Sequence, residues 1–127
     1  MSKGNLTQNG VHLREHEYKT VKLLLEKGYD VELIPPSQIK GLTMPDIMLK
    51  GLPWEIKSPN GKSKNNIKHI IQKAKHQSSN IIIDLHRTLL EENYVIEEIK
   101  KHFTLSKRLQ RLIIIKKNDE IIDITKK

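Results

Sequence analysis

Three residues in this chain are of the types, and at the spacing, that phosphodiester chemistry uses: Asp46, Glu55 and Lys57. A strand turns successive side chains to opposite faces, so Glu55 and Lys57 share one face while Trp54 and Ile56 take the other. Lys50-Gly51 reads as the two-residue turn of a hairpin. Folded about that turn, Leu49 meets Leu52, Met48 meets Pro53, Ile47 meets Trp54 and Asp46 meets Glu55. The two carboxylates then face each other with Cβ atoms about 4.5–5.5 Å apart. Like charges so close are destabilising unless a cation lies between them. Oxygen ligands with open water positions suit Mg²⁺ or Mn²⁺. Such an ion polarises a phosphodiester and lowers the pKa of a bound water. Lys57 is on the face where it would orient that water or stabilise developing charge. The arrangement depends on the turn, because a one-residue slip sends one carboxylate to the other face. Pro53, with no N–H, favours a gap in the ladder or an edge position.

The elements that must position these residues are legible in the apolar pattern. Tyr18, Val21, Leu24 and Leu25 recur at helical spacing, which predicts a helix over about 13–27, stopped by Gly28. Residues 29–34 alternate and end at Pro35-Pro36, as a strand does. Strands over 46–50 and 52–57 form the hairpin. Ser58-Pro59-Asn60-Gly61 breaks the chain, and a helix over about 63–76 carries Ile67, Ile70, Ile71 and Ala74 on its apolar face. The aliphatic run 80–85 predicts a buried central strand. A third helix spans about 89–102, with Glu91 and Glu92 near its positive end. A last hairpin covers 111–116 and 120–124. One domain over 1–127 is expected, with 1–10 loose. Its fold class is α/β: a mixed central sheet flanked by helices on both faces.

Composition narrows the function classes. The 127 residues suffice for one modest core. There is no cysteine, which removes disulfides, thiolate catalysis and Cys-bound zinc. No apolar run reaches the ~18–20 residues needed to span a bilayer, so no membrane partner is expected. The N-terminus lacks the apolar stretch of a signal peptide. A net charge of +8 and a pI near 9.7 favour a polyanionic partner, chiefly nucleic acid or an acidic protein, although a soluble, lysine-rich surface gives the same charge. The histidines show no H-E-x-x-H or other tight ligand spacing, and His69 and His76, two turns apart, read as a surface pair. His86 and Arg87 follow the central strand, at a place where strand ends often meet a site.

The Asp, then Glu-x-Lys, pattern in this order of elements resembles the PD-(D/E)xK nuclease superfamily. Gly28-Tyr29-Asp30-Val31, Pro45-Asp46, Glu55-Ile56-Lys57-Ser58-Pro59, a Lys/Asn-rich helix and Gln77 ahead of the Ile81 strand are similar to the tRNA-nuclease toxin domain of contact-dependent inhibition proteins. The similarity covers roughly residues 14–87. It implies a PD-(D/E)xK endonuclease-like fold and Mg²⁺- or Mn²⁺-dependent cleavage of RNA, with tRNA foremost. It further implies action in the cytoplasm of a target cell and a cognate immunity protein as partner. It implies a first-helix acid in the metal site, for which Glu17 is the best match and Glu15 the fallback, beside Asp46 and Glu55. It also implies substrate-binding residues on the helix after Glu-x-Lys, where Lys64, Lys68, Gln72 and Lys75 form one flank; Gln72 and Lys75 are expected to reach the scissile phosphate. Arg87 joins this substrate-binding set. Family tips end very large effectors, whereas this chain opens on Met; an excised domain and a stand-alone product both fit.

Blander readings stand beside these. Asp46 after Pro45 also suits a turn, Glu55 and Lys57 a cross-strand solvent pair, and the lysines a solvated helix face. Two other functions compete. One is a DNA endonuclease of the same fold, of restriction or junction-resolving type. The other is a catalytically silent nucleic-acid-binding module, against which the intact Asp, Glu and Lys argue.

Overall fold

The computed structural model describes residues 3–127, and among them the chain forms seven strands and three helices. In chain order these are β1 (Leu6–Thr7), α1 (Glu15–Glu26), β2 (Val31–Leu33), β3 (Ile47–Leu49), β4 (Leu52–Lys57), α2 (Asn65–Ala74), β5 (Asn80–Asp84), α3 (Glu92–Leu105), β6 (Arg111–Ile115) and β7 (Ile121–Thr125). The strands lie in one mixed sheet whose spatial order follows the chain order. β1–β2, β4–β5 and β5–β6 pair in parallel, and the remaining neighbours pair antiparallel. The mixed α/β architecture expected from the apolar pattern is the one observed.

Period-two alternation divides the core between the two sheet faces. Val21, Leu23 and Leu24 of α1 pack on Trp54, Ile56, Ile82 and Ile113. Ile67 and Ile71 of α2, with Val95, Ile99 and Phe103 of α3, pack on Ile81, Ile83, Leu112 and Ile114 of the other face. β5 is buried on both faces along its whole length, which is why its run is aliphatic without alternation. Among the described residues no helix is long and apolar enough to cross a membrane.

The structure corrects two expectations. Residues 3–10, within the stretch expected to be loose, are tied down. Leu6 and Thr7 extend the sheet beside β2, the Gly4 N–H donates to the Leu25 carbonyl, and the Asn9 side chain donates to the Leu33 carbonyl. A Cβ on Gly4 would lie 1.7 Å from the Tyr29 oxygen, so only glycine allows this approach. The polar composition of the segment hides the pairing because backbone groups make it. The third helix begins later and ends later than its pattern suggests. Glu91 caps it by accepting the Tyr94 N–H at 2.6 Å, and the preceding residues form a turn around Thr88, which is buried.

Candidate active site

The hairpin that carries the three residues folds in the expected register. Leu49 pairs with Leu52, Met48 with Pro53 and Ile47 with Trp54. Lys50 and Gly51 both take positive φ, 56° and 76°, as a two-residue hairpin turn of right-handed twist requires. Trp54 locks the pair from the α1 side, where its indole N–H donates to the Leu49 carbonyl at 3.0 Å.

At Asp46 the ladder departs from the regular pattern. Its N–H donates to the Trp54 carbonyl at 3.0 Å, and its carboxylate accepts the Ile56 N–H at 2.8 Å. In a regular continuation Ile56 would face Pro45. Instead the Asp46 side chain accepts the Ile56 N–H, and this pins its carboxylate against the Glu55-Ile56 backbone. The expected face-to-face Asp46–Glu55 strand pair is therefore not a ladder pair, yet the two carboxyl groups lie close enough for each to act on the other's charge.

Glu55 is only 3% exposed. One carboxylate oxygen, Oε2, lies 3.1 Å from Lys57 Nζ, and the other, Oε1, is buried with no hydrogen-bond partner. Burial raises the Glu55 carboxyl to about 7; the Asp46 charge adds to the rise and Lys57 opposes it. Burial also raises Asp46, against the pull of the Ile56 N–H, the Glu55 carboxyl and Lys57, while Glu17 pushes it further up. Two carboxyls held so close and so dry resist ionising together. A cation beside them would relieve both penalties and give Glu55 Oε1 the partner it lacks. The residues therefore fit a divalent ion held by oxygen. Among the described residues no three His, Cys, Asp or Glu side chains come together as a metal-binding group. Two protein carboxylates with the other positions left to water and substrate suit Mg²⁺ or Mn²⁺.

The other expected site residues are placed differently. Glu17 lines a cleft of about 330 Å³ together with Asp46, Val11, Ile34, Met44 and Gln77. Its Oε1 accepts the Arg14 N–H at 3.0 Å, so one oxygen of the carboxylate caps its own helix. Glu15 pairs with Lys19 on the exposed face of α1 and lies away from the cleft. Lys68, Gln72 and Lys75 line a groove shared with His102, Leu105 and Ser106, and Lys64 sits over the Tyr94 ring. This flank of α2 is turned toward α3, so the structure does not bring these four residues to the Asp46 cleft. Helical spacing names the flank but carries no information on which neighbour it meets. Arg87 lines a different cavity, on the α1 side of the sheet.

Sequence reasoning passed over Gln77 as a wall of the cleft and the buried Asp84 beside Arg87. A signal for Asp84 was present: it is the one charged residue in the 80–85 run, in phase with Ile82, and is therefore directed into the face that α1 covers.

The family model described as the contact-dependent growth inhibition CdiA C-terminal domain matches residues 43–121, a span that includes Asp46, Glu55, Lys57 and Arg87. No curated protein matches the chain significantly. Among solved structures, a chain of a CdiA-CT/CdiI toxin and immunity complex from Burkholderia pseudomallei superposes with a TM-score of 0.69. The match covers 97% of this chain and 100% of that one at 20% identity, a likeness of fold.

Proposed function

The chain belongs to the contact-dependent growth inhibition CdiA C-terminal domain family, and from that premise we propose that it is a toxin nuclease of the PD-(D/E)xK type. In this reading it cleaves RNA phosphodiesters, with tRNA as the foremost substrate, in the cytoplasm of a target cell. The single observation that carries the reading is the buried Glu55 carboxylate. One of its oxygens is held by Lys57 and the other is without a partner, with Asp46 fixed alongside. A solvent-exposed cross-strand pair would not be dry, and a turn residue would not have its carboxylate pinned beside a buried acid.

Asp46 and Glu55 would hold Mg²⁺ or Mn²⁺, and Glu17, in the same cleft, is the carboxylate available to help. When bound, the ion would supply Lewis acidity and an acidified water. Lys57, tied to Glu55, carries the positive charge that orients the attacking water or stabilises the phosphorane-like transition state. The net charge of +8 draws in the polyanion. A cognate immunity protein is the expected protein partner, in keeping with the kind of complex the chain resembles in fold.

Metal binding separates this reading from a silent nucleic-acid-binding module. Titration with Mn²⁺, followed by the loss of its free electron-paramagnetic signal, is expected to reveal a saturable site in the parent protein. Both Asp46→Asn and Glu55→Gln should remove it. A folded parent that takes up no Mn²⁺, alone or with tRNA present, favours the silent module.

A further inference from the structure

We propose that the cavity between α1 and the C-terminal ends of β4 and β5 is a second phosphate-binding subsite for the nucleic-acid strand, with Lys22, Ser58 and Arg87 as its ligands. This proposal rests on the nuclease reading above and extends it to a part of the molecule that reading leaves without a role.

The cavity holds about 370 Å³ and is walled on one side by His16, Lys19 and Lys22 of α1. Of its three acidic members two are already engaged, and the third, Glu26, lies one helical turn beyond Lys22 on α1. Asp84, 3% exposed, accepts the Thr20 hydroxyl at 2.5 Å and the His86 N–H at 2.9 Å. Its Oδ1 also lies 2.7 Å from His86 Nδ1, and His86 Nε2 lies 2.7 Å from Asp119. Partial burial works against charge on His86, but the carboxylates of Asp119 and Asp84 outweigh it and raise the histidine above its ordinary value. The His86 ring thus sits between two carboxylates, and none of the three acids makes an ion pair with Lys22 or Arg87.

The rim is free to act on a ligand. Lys19 is paired with Glu15, but Lys22 and Arg87 form no ion pair among the described residues. A guanidinium presents a planar fork that matches two oxygens of one phosphate, and an ammonium adds a point charge. The Ser58 hydroxyl contributes a neutral donor.

Position favours a phosphodiester over any other anion. Ser58 directly follows Lys57, a step of about 3.3 Å along an extended chain, and alternation turns it to the other face. The strand end that presents Lys57 to the Asp46–Glu55 site thus presents Ser58 to the cavity. Lys57 pairs with Ile83, and Asp84 follows it, so both strands leave the first site and enter the second together. A nucleic-acid backbone crossing this edge would set one phosphate at the Asp46–Glu55 site and a neighbouring one on Arg87.

The test uses the full chain carrying Glu55→Gln, so that substrate is bound but not cut. Affinity for fluorescently labelled tRNA is measured by anisotropy over about 50–200 mM salt, the range in which phosphate contacts dominate. Adding Arg87→Gln or Lys22→Gln should each weaken binding several-fold and reduce the slope of log K against log salt by about one, with Arg87→Lys restoring the slope. If tRNA binds and both slopes match the Glu55→Gln parent, the subsite is wrong and the nuclease reading stands. If that parent binds neither tRNA nor duplex DNA at any salt, the nuclease reading fails and the subsite falls with it.

Discussion

Glu55→Gln is expected to lower cleavage roughly a thousand-fold while making the folded protein more stable above neutral pH. The two effects have one cause. The Glu55 carboxyl is raised from an ordinary 4.5 to about 7 because its charge is buried. A raised folded pKa means the folded state holds a proton that the unfolded chain has released. The corresponding stability is fully present below pH 4.5 and is lost as pH rises through 7. A tenfold difference in proton affinity between the folded and unfolded chain is worth about 1.4 kcal/mol, so at pH 8 the ionised side chain costs the fold on the order of 3 kcal/mol. Glutamine carries no such charge. Urea unfolding should therefore find the variant more stable by about that amount at pH 8 and nearly equal to the parent at pH 5. A variant as unstable as the parent at pH 8 would show that Glu55 is not a stressed buried acid, and no cation would then be needed to relieve it. Gaining stability while losing activity is the pattern expected where a site is kept under electrostatic strain for function.

Trp54→Ala is expected to cost about 3–5 kcal/mol. Trp54 is 2% exposed and fills the α1 side of the sheet beneath β3 and β4. Its removal leaves a large cavity and also strips the Leu49 carbonyl of the indole N–H at 3.0 Å. A domain of this size has about 5–15 kcal/mol in total, so the variant should melt far below the parent and be partly unfolded at about 37 °C. Trp54→Phe keeps most of the apolar volume and loses the hydrogen bond, so it should cost about 1–2 kcal/mol. Thermal melts of the two variants would separate packing from hydrogen bonding. The link to function is register: Trp54 precedes Glu55, and fixing the indole on one face fixes Glu55 and Lys57 on the other.

The hairpin shows how much of the site is legible in the amino-acid order alone. Lys50-Gly51 set the turn, the turn set the register, and period two set which side chains share a face. The step at Asp46 was not legible in the same way. There the Asp46 carboxylate accepts the Ile56 N–H in place of a backbone carbonyl, which a count of strand positions does not anticipate. The fold class followed from the order of apolar patterns, since a buried run without alternation between helical segments has few places to go but the middle of a sheet. The place of the α2 flank expected to bind substrate could not be read, because periodicity along one helix names a stripe but not its neighbour. Lys64, Lys68, Gln72 and Lys75 do share a stripe, and that stripe meets α3. Glu17 lines the same cleft as Asp46. Its capping bond to Arg14 is local chemistry at the helix start that competes with ligation. Arg87 was marked by its position after the central strand, but the residues that wall its cavity, Lys22, Ser58 and Asp119 among them, come from three distant parts of the chain.

The most direct test of the central claim is incubation of the protein with total tRNA and, separately, with plasmid DNA, in Mg²⁺ and in EDTA. Discrete tRNA fragments are expected in Mg²⁺, and they should disappear with EDTA and with Lys57→Ala, while the plasmid stays intact. Cleavage of plasmid alone would contradict the substrate, and tRNA cleavage that persists in EDTA would contradict the metal site built on Asp46 and Glu55.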